Sequence, residues 1–226
     1  MTRPLGTRMR TFLFGYGSLL NSRSRNNTFE YHDGVMVPVV VRGLRRGWFV
    51  EDAFRKNTAV CVYKDDHSCT TGALLQIHHE SLPEYDAREV GYDRVLIDHH
   101  RFEYLGGEVV TDDDLVYVYE PQEMALTTQY FPVTQSYLDI VLKGFLDISE
   151  TFAAQFMETT FGWEKQLVND RKQLWYPRGF SENDSAQRID TFLRTYKPEV
   201  ILNRIDADDV RSNFFAESRT DGILNA

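Results

Sequence analysis

The distribution of periodicity constrains this chain more than any motif in it. In the first half, Thr11–Phe14, Val37–Val41, Thr58–Tyr63, Gly72–Ile77, Arg94–Asp98 and Leu115–Glu120 are short β-branched or aromatic runs bounded by Gly, Asp and Asn. Helical spacing is largely missing there, which argues against the strand–helix alternation of a doubly wound nucleotide-binding sheet. Six runs at such separations suit a small closed or half-closed barrel. One short helix interrupts them: Ser81, Pro83 and Glu84 have capping-box residue types with an early proline, and Gly91 is placed to end the turn just after Glu89.

From Thr134 the pattern changes. Tyr137, Val141, Phe145 and Ile148 recur at spacings of three and four, with Leu138 and Leu142 beside them, which describes a helix with a wide apolar face capped by Thr134. Ser149 caps a second helix carrying Phe152, Phe156 and Met157, and a last amphipathic helix runs from Asp184 through Ile189, Phe192, Leu193 and Tyr196 to Pro198. Asn21 to Gly34 reads as a polar loop, Trp163 to Phe180 as an aromatic one, and Asp206 to Ala226 as a loosely ordered tail. The expected organisation is a β-rich unit over residues 1–148, with a helical and aromatic extension, residues 149–226, packed on it.

With 226 residues the chain can bury a sizeable core. Its formal net charge of −9 disfavours a nucleic-acid partner, because such binding needs clustered Lys and Arg. Arg42, Arg45 and Arg46 do cluster, but beside Glu51 and Asp52, so they read as a local anchor or a solvated face. Cys61 and Cys69 flank a polar stretch, Asp65 to Ser68, and as the two arms of a hairpin they are able to pair. So few thiols nonetheless fit a reducing, cytoplasmic setting better. The first ten residues have no apolar leader, and the longest apolar run, Val35 to Val41, contains Pro38, so no membrane span is expected.

Several chemistries can be weighed on spacing alone. His78-His79 and His99-His100 are adjacent pairs whose members point to opposite faces of a strand, so no metal site is expected. Ser18 lacks the x-Gly that completes a nucleophile elbow, and nothing reveals a histidine base for it. Gly15-Tyr16-Gly17-Ser18 closes the first apolar run. Its consecutive N–H groups suit an anion-binding nest, although glycine spacing alone favours a tight turn with an aromatic plug. Glu89 stands at a helix C-terminus beside Val90 and Tyr92, where dipole and desolvation both favour its neutral form and a proton-shuttling role, unless Arg88 offsets them.

In combination, Phe14-Gly15-Tyr16-Gly17-Ser18-Leu19, Gly72, Arg88-Glu89-Val90-Gly91-Tyr92 and Gln135-Ser136-Tyr137-Leu138 resemble the γ-glutamylcyclotransferase-like family, which includes ChaC-type and AIG2-like proteins. The resemblance spans roughly Thr11 to Asp147 and leaves Trp163 to Ala226 unexplained. It implies an α+β fold built on a small mixed six-stranded β-barrel with flanking helices. It also implies release of 5-oxoproline from a γ-glutamyl amide or peptide by intramolecular attack of the α-amine, with no cofactor. By the same resemblance Glu89 is the general base, and Gly15, Tyr16, Gly17, Ser18, Leu19 and Tyr137 contact the substrate. A non-catalytic metabolite-binding module on the same fold, and a serine hydrolase using Ser18, are the alternatives. The leaving group stays open among glutathione, a γ-glutamyl amino acid and a γ-glutamyl amine. Trp163, Trp175 and the Arg171 to Arg178 segment either line the outer pocket or pack the extra helices.

Overall fold

The architecture is that of a computed structural model describing residues 9–26, 34–52, 57–106, 110–123, 131–176 and 183–210. In chain order the elements are β1 (Thr11–Gly15), α1 (Ser22–Asn26), β2 (Met36–Asp52), β3 (Asn57–Ile77), α2 (Leu82–Arg88), β4 (Tyr92–Leu96), β5 (Phe102–Tyr104), β6 (Leu115–Pro121), β7 (Val133–Thr134), α3 (Gln135–Ile148), α4 (Glu150–Thr159), β8 (Thr160–Phe161), β9 (Leu167–Asn169), α5 (Asn183–Tyr196), α6 (Pro198–Leu202) and β10 (Ile205–Asp206). The main sheet is mixed and seven-stranded, ordered β4-β6-β1-β3-β2-β5 with β8 also on β2; β10-β9-β7 form a small second sheet.

β1 explains why its run is apolar without alternation. It pairs antiparallel with β3 and parallel with β6, and all five residues are buried. Phe12 and Phe14 pack with Val37, Val39, Val116 and Val118 on one face, whereas Leu13 joins Leu75 and the helices on the other. A strand covered on both sides has no solvent face to mark with polar residues.

Two expectations about the sheet need correction. Thr58–Tyr63 and Gly72–Ile77 are parts of the single strand β3, which is 21 residues long. The pairing with β2 steps from Arg42↔Cys69 to Leu44↔Lys64, leaving residues 65–68 as a bulge. There Asp65 accepts hydrogen bonds from the His67 amide (3.1 Å) and the Ser68 hydroxyl (2.8 Å). The polar stretch therefore kinks a strand rather than reversing it. Cys61 and Cys69 consequently lie along one strand instead of facing each other, and both are free thiols. The sheet, moreover, is not a closed barrel: its path ends at β4 and β5, and no ladder joins those edges among the described residues.

The helical expectations stand, apart from two caps. Ser149 caps α4 by accepting from the Phe152 amide at 3.0 Å. Thr134 and Ser81 occupy their N-cap positions, but neither side chain makes the capping bond. α3 is buried apart from Lys143, Asp147 and Ile148, because the sheet lies on one side and α4 and α5 cover the rest. Ile189, Phe192, Leu193 and Val200 from the extension share one apolar cluster with Leu13, Leu138 and Phe145.

Polar side chains clamp the same junction. Arg171 makes a two-pronged pair with Asp139 (2.7 Å for each bond) and reaches Asp190 at 2.9 Å. Arg204 joins Asp190 and Gln135. Arg171 thus serves the packing of the extra helices, one of its two expected roles; Pro177 to Arg178 lie outside the described residues, as does the tail from Arg211. No described helix is long and apolar enough to cross a membrane.

Candidate functional site

After β1 the chain makes a single helical turn at Ser18–Leu20, closed by the Leu20 amide on the Gly17 carbonyl (3.0 Å). Tyr16 turns inward before it. Its ring lies 6.2 Å from that of Phe14 and its hydroxyl donates to the Tyr119 carbonyl at 2.8 Å. The aromatic-plug reading therefore describes this side chain. Leu19 faces the helix-side core, and Gly15 is packed between Leu75 and Leu20.

Ser18 is the part of the loop that opens on a cleft, and the buried Gly17 before it packs tightly. A Cβ on Gly17 would sit 2.8 Å from Val60 Cγ1 and 3.6 Å from the Tyr137 hydroxyl, so only glycine admits this approach. Beside it opens a cleft of about 450 Å³ lined by Ser18, Glu89, Tyr92, Tyr137 and Tyr176 together with Val50, Glu51, Asp52, Asn57 and Ala59 from the far end of the β2–β3 pair. Ser18, Glu89 and Tyr137, widely separated in sequence, share it.

Glu89 is placed by the end of α2. Its amide closes the last turn on the Tyr85 carbonyl (2.9 Å), and its carbonyl accepts from Tyr92 N (3.0 Å). Gly91 adopts φ +88° to turn the chain into β4, which suits a residue without Cβ. The carboxylate then meets Arg88, whose Nε donates to Oε1 at 2.9 Å. Arg88 is 1% exposed against 19% for Glu89. Its remaining nitrogens donate to the Ser24 carbonyl (3.0 Å), the Ser24 hydroxyl (3.2 Å) and the Ser18 hydroxyl (3.4 Å). One guanidinium thereby ties the glutamate to the glycine loop and to α1, and supplies the counter-charge that the sequence left undecided.

The phenols are held protonated. Burial first, and then the Tyr176 and Glu89 charges, raise the Tyr137 pKa far above its ordinary value. Burial, followed by Tyr137 and then weaker contributions that include Glu89, does the same for Tyr92. Tyr137 is fixed edge-on against Trp48 (6.0 Å) and Tyr176 (4.9 Å). It is held as a neutral donor near neutral pH. Among the described residues no histidine lines the cleft, and no three His, Cys, Asp or Glu side chains form a metal-binding group.

The backbone path resembles solved structures. A structure titled gamma-glutamyl cyclotransferase superposes with TM-score 0.54 at 9% identity, covering 80% of this chain and 99% of that one. The chain has the γ-glutamylcyclotransferase-like fold. An uncharacterized protein from Homo sapiens matches similarly, with TM-score 0.53 and 10% identity over 81% of this chain and 99% of its own. YkqA from Bacillus subtilis gives TM-score 0.50 and 18% identity over 67% of this chain and 54% of its own. The sequence matches no protein-family model and no curated protein sequence.

Within this γ-glutamylcyclotransferase-like fold, the residues that sequence reasoning missed are Tyr92, Tyr176, Asp52 and Asn57, together with the bridging role of Arg88. Tyr92 and Arg88 flank Glu89 in the chain and were within reach of a local reading. Tyr176 and the pair Asp52 and Asn57 come from distant segments, and no local pattern marks them. Trp163 packs edge-on against Trp48 (5.3 Å) and does not line the cleft; nor does Trp175.

Proposed function

We propose that the chain is a γ-glutamyl cyclotransferase that releases 5-oxoproline from a γ-glutamyl amide. The single observation carrying this reading is that Ser18, Glu89 and Tyr137 line one cleft on a γ-glutamylcyclotransferase-like fold. Because nucleophile and electrophile belong to one molecule, the enzyme has mainly to fold the substrate and manage protons; proximity then supplies much of the rate. Glu89 takes a proton from the α-ammonium, the freed amine attacks the γ-carbonyl to close the five-membered ring, and that proton passes to the nitrogen leaving as the γ-amide bond breaks; the ring nitrogen sheds its second proton to Glu89 as it becomes an amide, and the released amine takes this proton up to leave as an ammonium. Amides of the Gly17–Ser18 turn and the Tyr137 hydroxyl stand ready to donate to the carbonyl oxygen as it gains charge. Arg88 is a positioning residue that aims Glu89 and Ser18. Among the described residues the side chain hydrogen-bonded to the Ser18 hydroxyl is the Arg88 guanidinium, which is no base for a serine-hydrolase route.

The test is incubation of wild-type and Glu89→Gln protein with a panel of γ-glutamyl compounds while 5-oxoproline is followed by mass spectrometry. Loss of a general base should lower turnover by about a thousandfold while circular dichroism stays unchanged. Full activity in Glu89→Gln removes Glu89 from the mechanism, and ligand binding without any turnover in the wild type favours a binding module.

A further inference from the structure

β7 and β9 run parallel, with Val133 opposite Leu167 and Thr134 opposite Val168. The same register, carried just past the strands, sets Asp170 beside Ser136 in the first turn of α3. Asp170 is 0% exposed, and burying a carboxylate is costly unless donors surround it. Its Oδ1 accepts from the Ser136 amide at 2.7 Å, and its Oδ2 accepts from the Ser136 hydroxyl and from the Trp175 amide at 2.8 Å. The bond from the Ser136 amide takes the place of the capping bond that the Thr134 side chain leaves unmade.

From Asp170 the chain folds back on itself. The Gln173 amide closes a turn on the Asp170 carbonyl at 3.1 Å, and the Tyr176 amide donates to the Ser136 hydroxyl oxygen at 3.2 Å. The residues that donate to this carboxylate therefore stand immediately before the tyrosines of the cleft, Ser136 before Tyr137 and Trp175 before Tyr176. Those two rings meet edge-on at 4.9 Å. Neighbouring Arg171, by contrast, directs its bonds to Asp139 and Asp190 and serves the packing of the extra helices.

We infer that Asp170 is a positioning residue for the cleft: by holding the backbone before each ring it keeps Tyr176 edge-on to Tyr137, and so fixes where the Tyr137 hydroxyl donates. The C-terminal extension is then part of the working site as well as of the packing. This rests on the cyclotransferase reading, in which that hydroxyl steadies the carbonyl oxygen, and adds a residue to it. Asparagine is no substitute for the carboxylate. Its oxygen serves one side of the clasp while its NH2 group turns a donor toward the amide on the other, so in either orientation one buried N–H loses its acceptor.

The experiment measures kcat and KM for 5-oxoproline release from glutathione, γ-glutamylalanine and γ-glutamyl pentylamide, well below the melting temperature. Wild type, Asp170→Asn and Ser136→Ala are compared, each also in a Tyr137→Phe background. Nuclear Overhauser contacts between the Tyr137 and Tyr176 rings are followed in the wild type and the two single variants, labelled at tyrosine. We expect Asp170→Asn to lose those contacts and to lower kcat by about tenfold with KM little changed. Ser136→Ala keeps both amide bonds to the carboxylate and removes only the hydroxyl bridge, so it decides the matter if Asp170→Asn does not fold; its kcat should fall by about threefold. In the Tyr137→Phe background neither substitution should lower kcat further, because the group they position is gone. A purely structural Asp170 would lower the melting temperature and leave the kcat of folded protein whole. Full kcat in both variants, ring contacts that survive in both, or an undiminished loss in the Tyr137→Phe background overturns the inference while the cyclotransferase reading stands. Absence of 5-oxoproline from every compound overturns that reading; loss of the ring contacts in the variants then still upholds Asp170 as the residue that holds the pair, and their survival overturns it.

Discussion

Two arginines, Arg46 and Arg88, are almost wholly buried, and they are buried in opposite ways. Arg46, at 0% exposure, has no carboxylate partner among the described residues. Its guanidinium donates to the hydroxyls of Thr160 (2.8 Å), Thr159 (2.8 Å) and Thr71 (3.1 Å) and to the Thr71 carbonyl, while its carbon lies 4.4 Å from the centre of the Phe156 ring. Burial lowers its pKa to about 9, which leaves it cationic at neutrality. Dipoles, hydroxyls and a ring face disperse the charge, and the result is a rivet between β2, β3 and the end of α4. Arg88 is paired with a carboxylate that opens onto the cleft, and its other donors hold two serines. The contrast teaches that a buried cation surrounded by neutral acceptors serves the fold, whereas one sharing its hydrogen bonds with a partly exposed carboxylate organises a site.

The comparison is broken most severely by truncating Arg46. Arg46→Met should destabilise the protein by about 3 kcal/mol, because the Thr71 carbonyl and three hydroxyls lose a buried donor. Thermal unfolding should show this as a fall of roughly 6–12 °C, and the folded fraction should keep its turnover. Arg88→Gln inverts the pattern: under the proposed reaction kcat/KM falls by about a hundredfold, with the melting temperature moving by only a few degrees. If Arg88→Gln unfolds the protein and leaves the folded remainder fully active, the distinction fails.

Tyr137→Phe sharpens the site half. Removing one protonated donor should cost about tenfold in kcat, with KM little changed, measured by the same product assay.

A third pair, remote from the cleft, provides the smallest effect and a control. Asp114 is buried, which opposes its ionisation, but hydrogen bonds from Arg10 and Thr111 outweigh that and hold its pKa well below the ordinary carboxylate range. A depressed folded-state pKa gives stability that is present above the unfolded value of about 4 and is lost as pH falls below it. Asp114→Asn should therefore cost about 1–2 kcal/mol near pH 7 and progressively less below about pH 4, as denaturant titration at several pH values would show. Activity at neutral pH should be unaffected.

Much of this was legible in the chain, for reasons that differ by residue. Periodicity marked α3, α4 and α5, since each buries a stripe whose spacing is set by the helix itself. Five of the six strands of the main path lie on expected runs, but the three-residue β5 carries too little pattern to be seen. The length of β3 was hidden because the bulge at Asp65–Ser68 has the composition of a turn. Glu89, which lines the cleft, stands out locally because helix end, glycine and aromatic neighbours lie within a few residues of it. Tyr16 was assigned to the ligand although it fills the core: glycines report that a backbone turns, and say nothing of which way the side chain between them points. Arg46 stood among Arg42 and Arg45 without distinction, yet Arg42 is exposed beside Glu103 and Arg45 covers the Phe161 ring. Strand alternation and the sheet's second layer separate them, and neither is visible locally.

The β2–β3 hairpin joins matters that elsewhere in the molecule are kept apart. Its middle is riveted into the core by Arg46, while its far end lines the cleft that Glu89 also lines. Under the proposed reaction the proton-handling residues come from α2 and the loop after β1, on other pieces of chain than this hairpin end. A few exchanged residues at the outer end of one hairpin would then reshape the cleft without disturbing how the ring is closed.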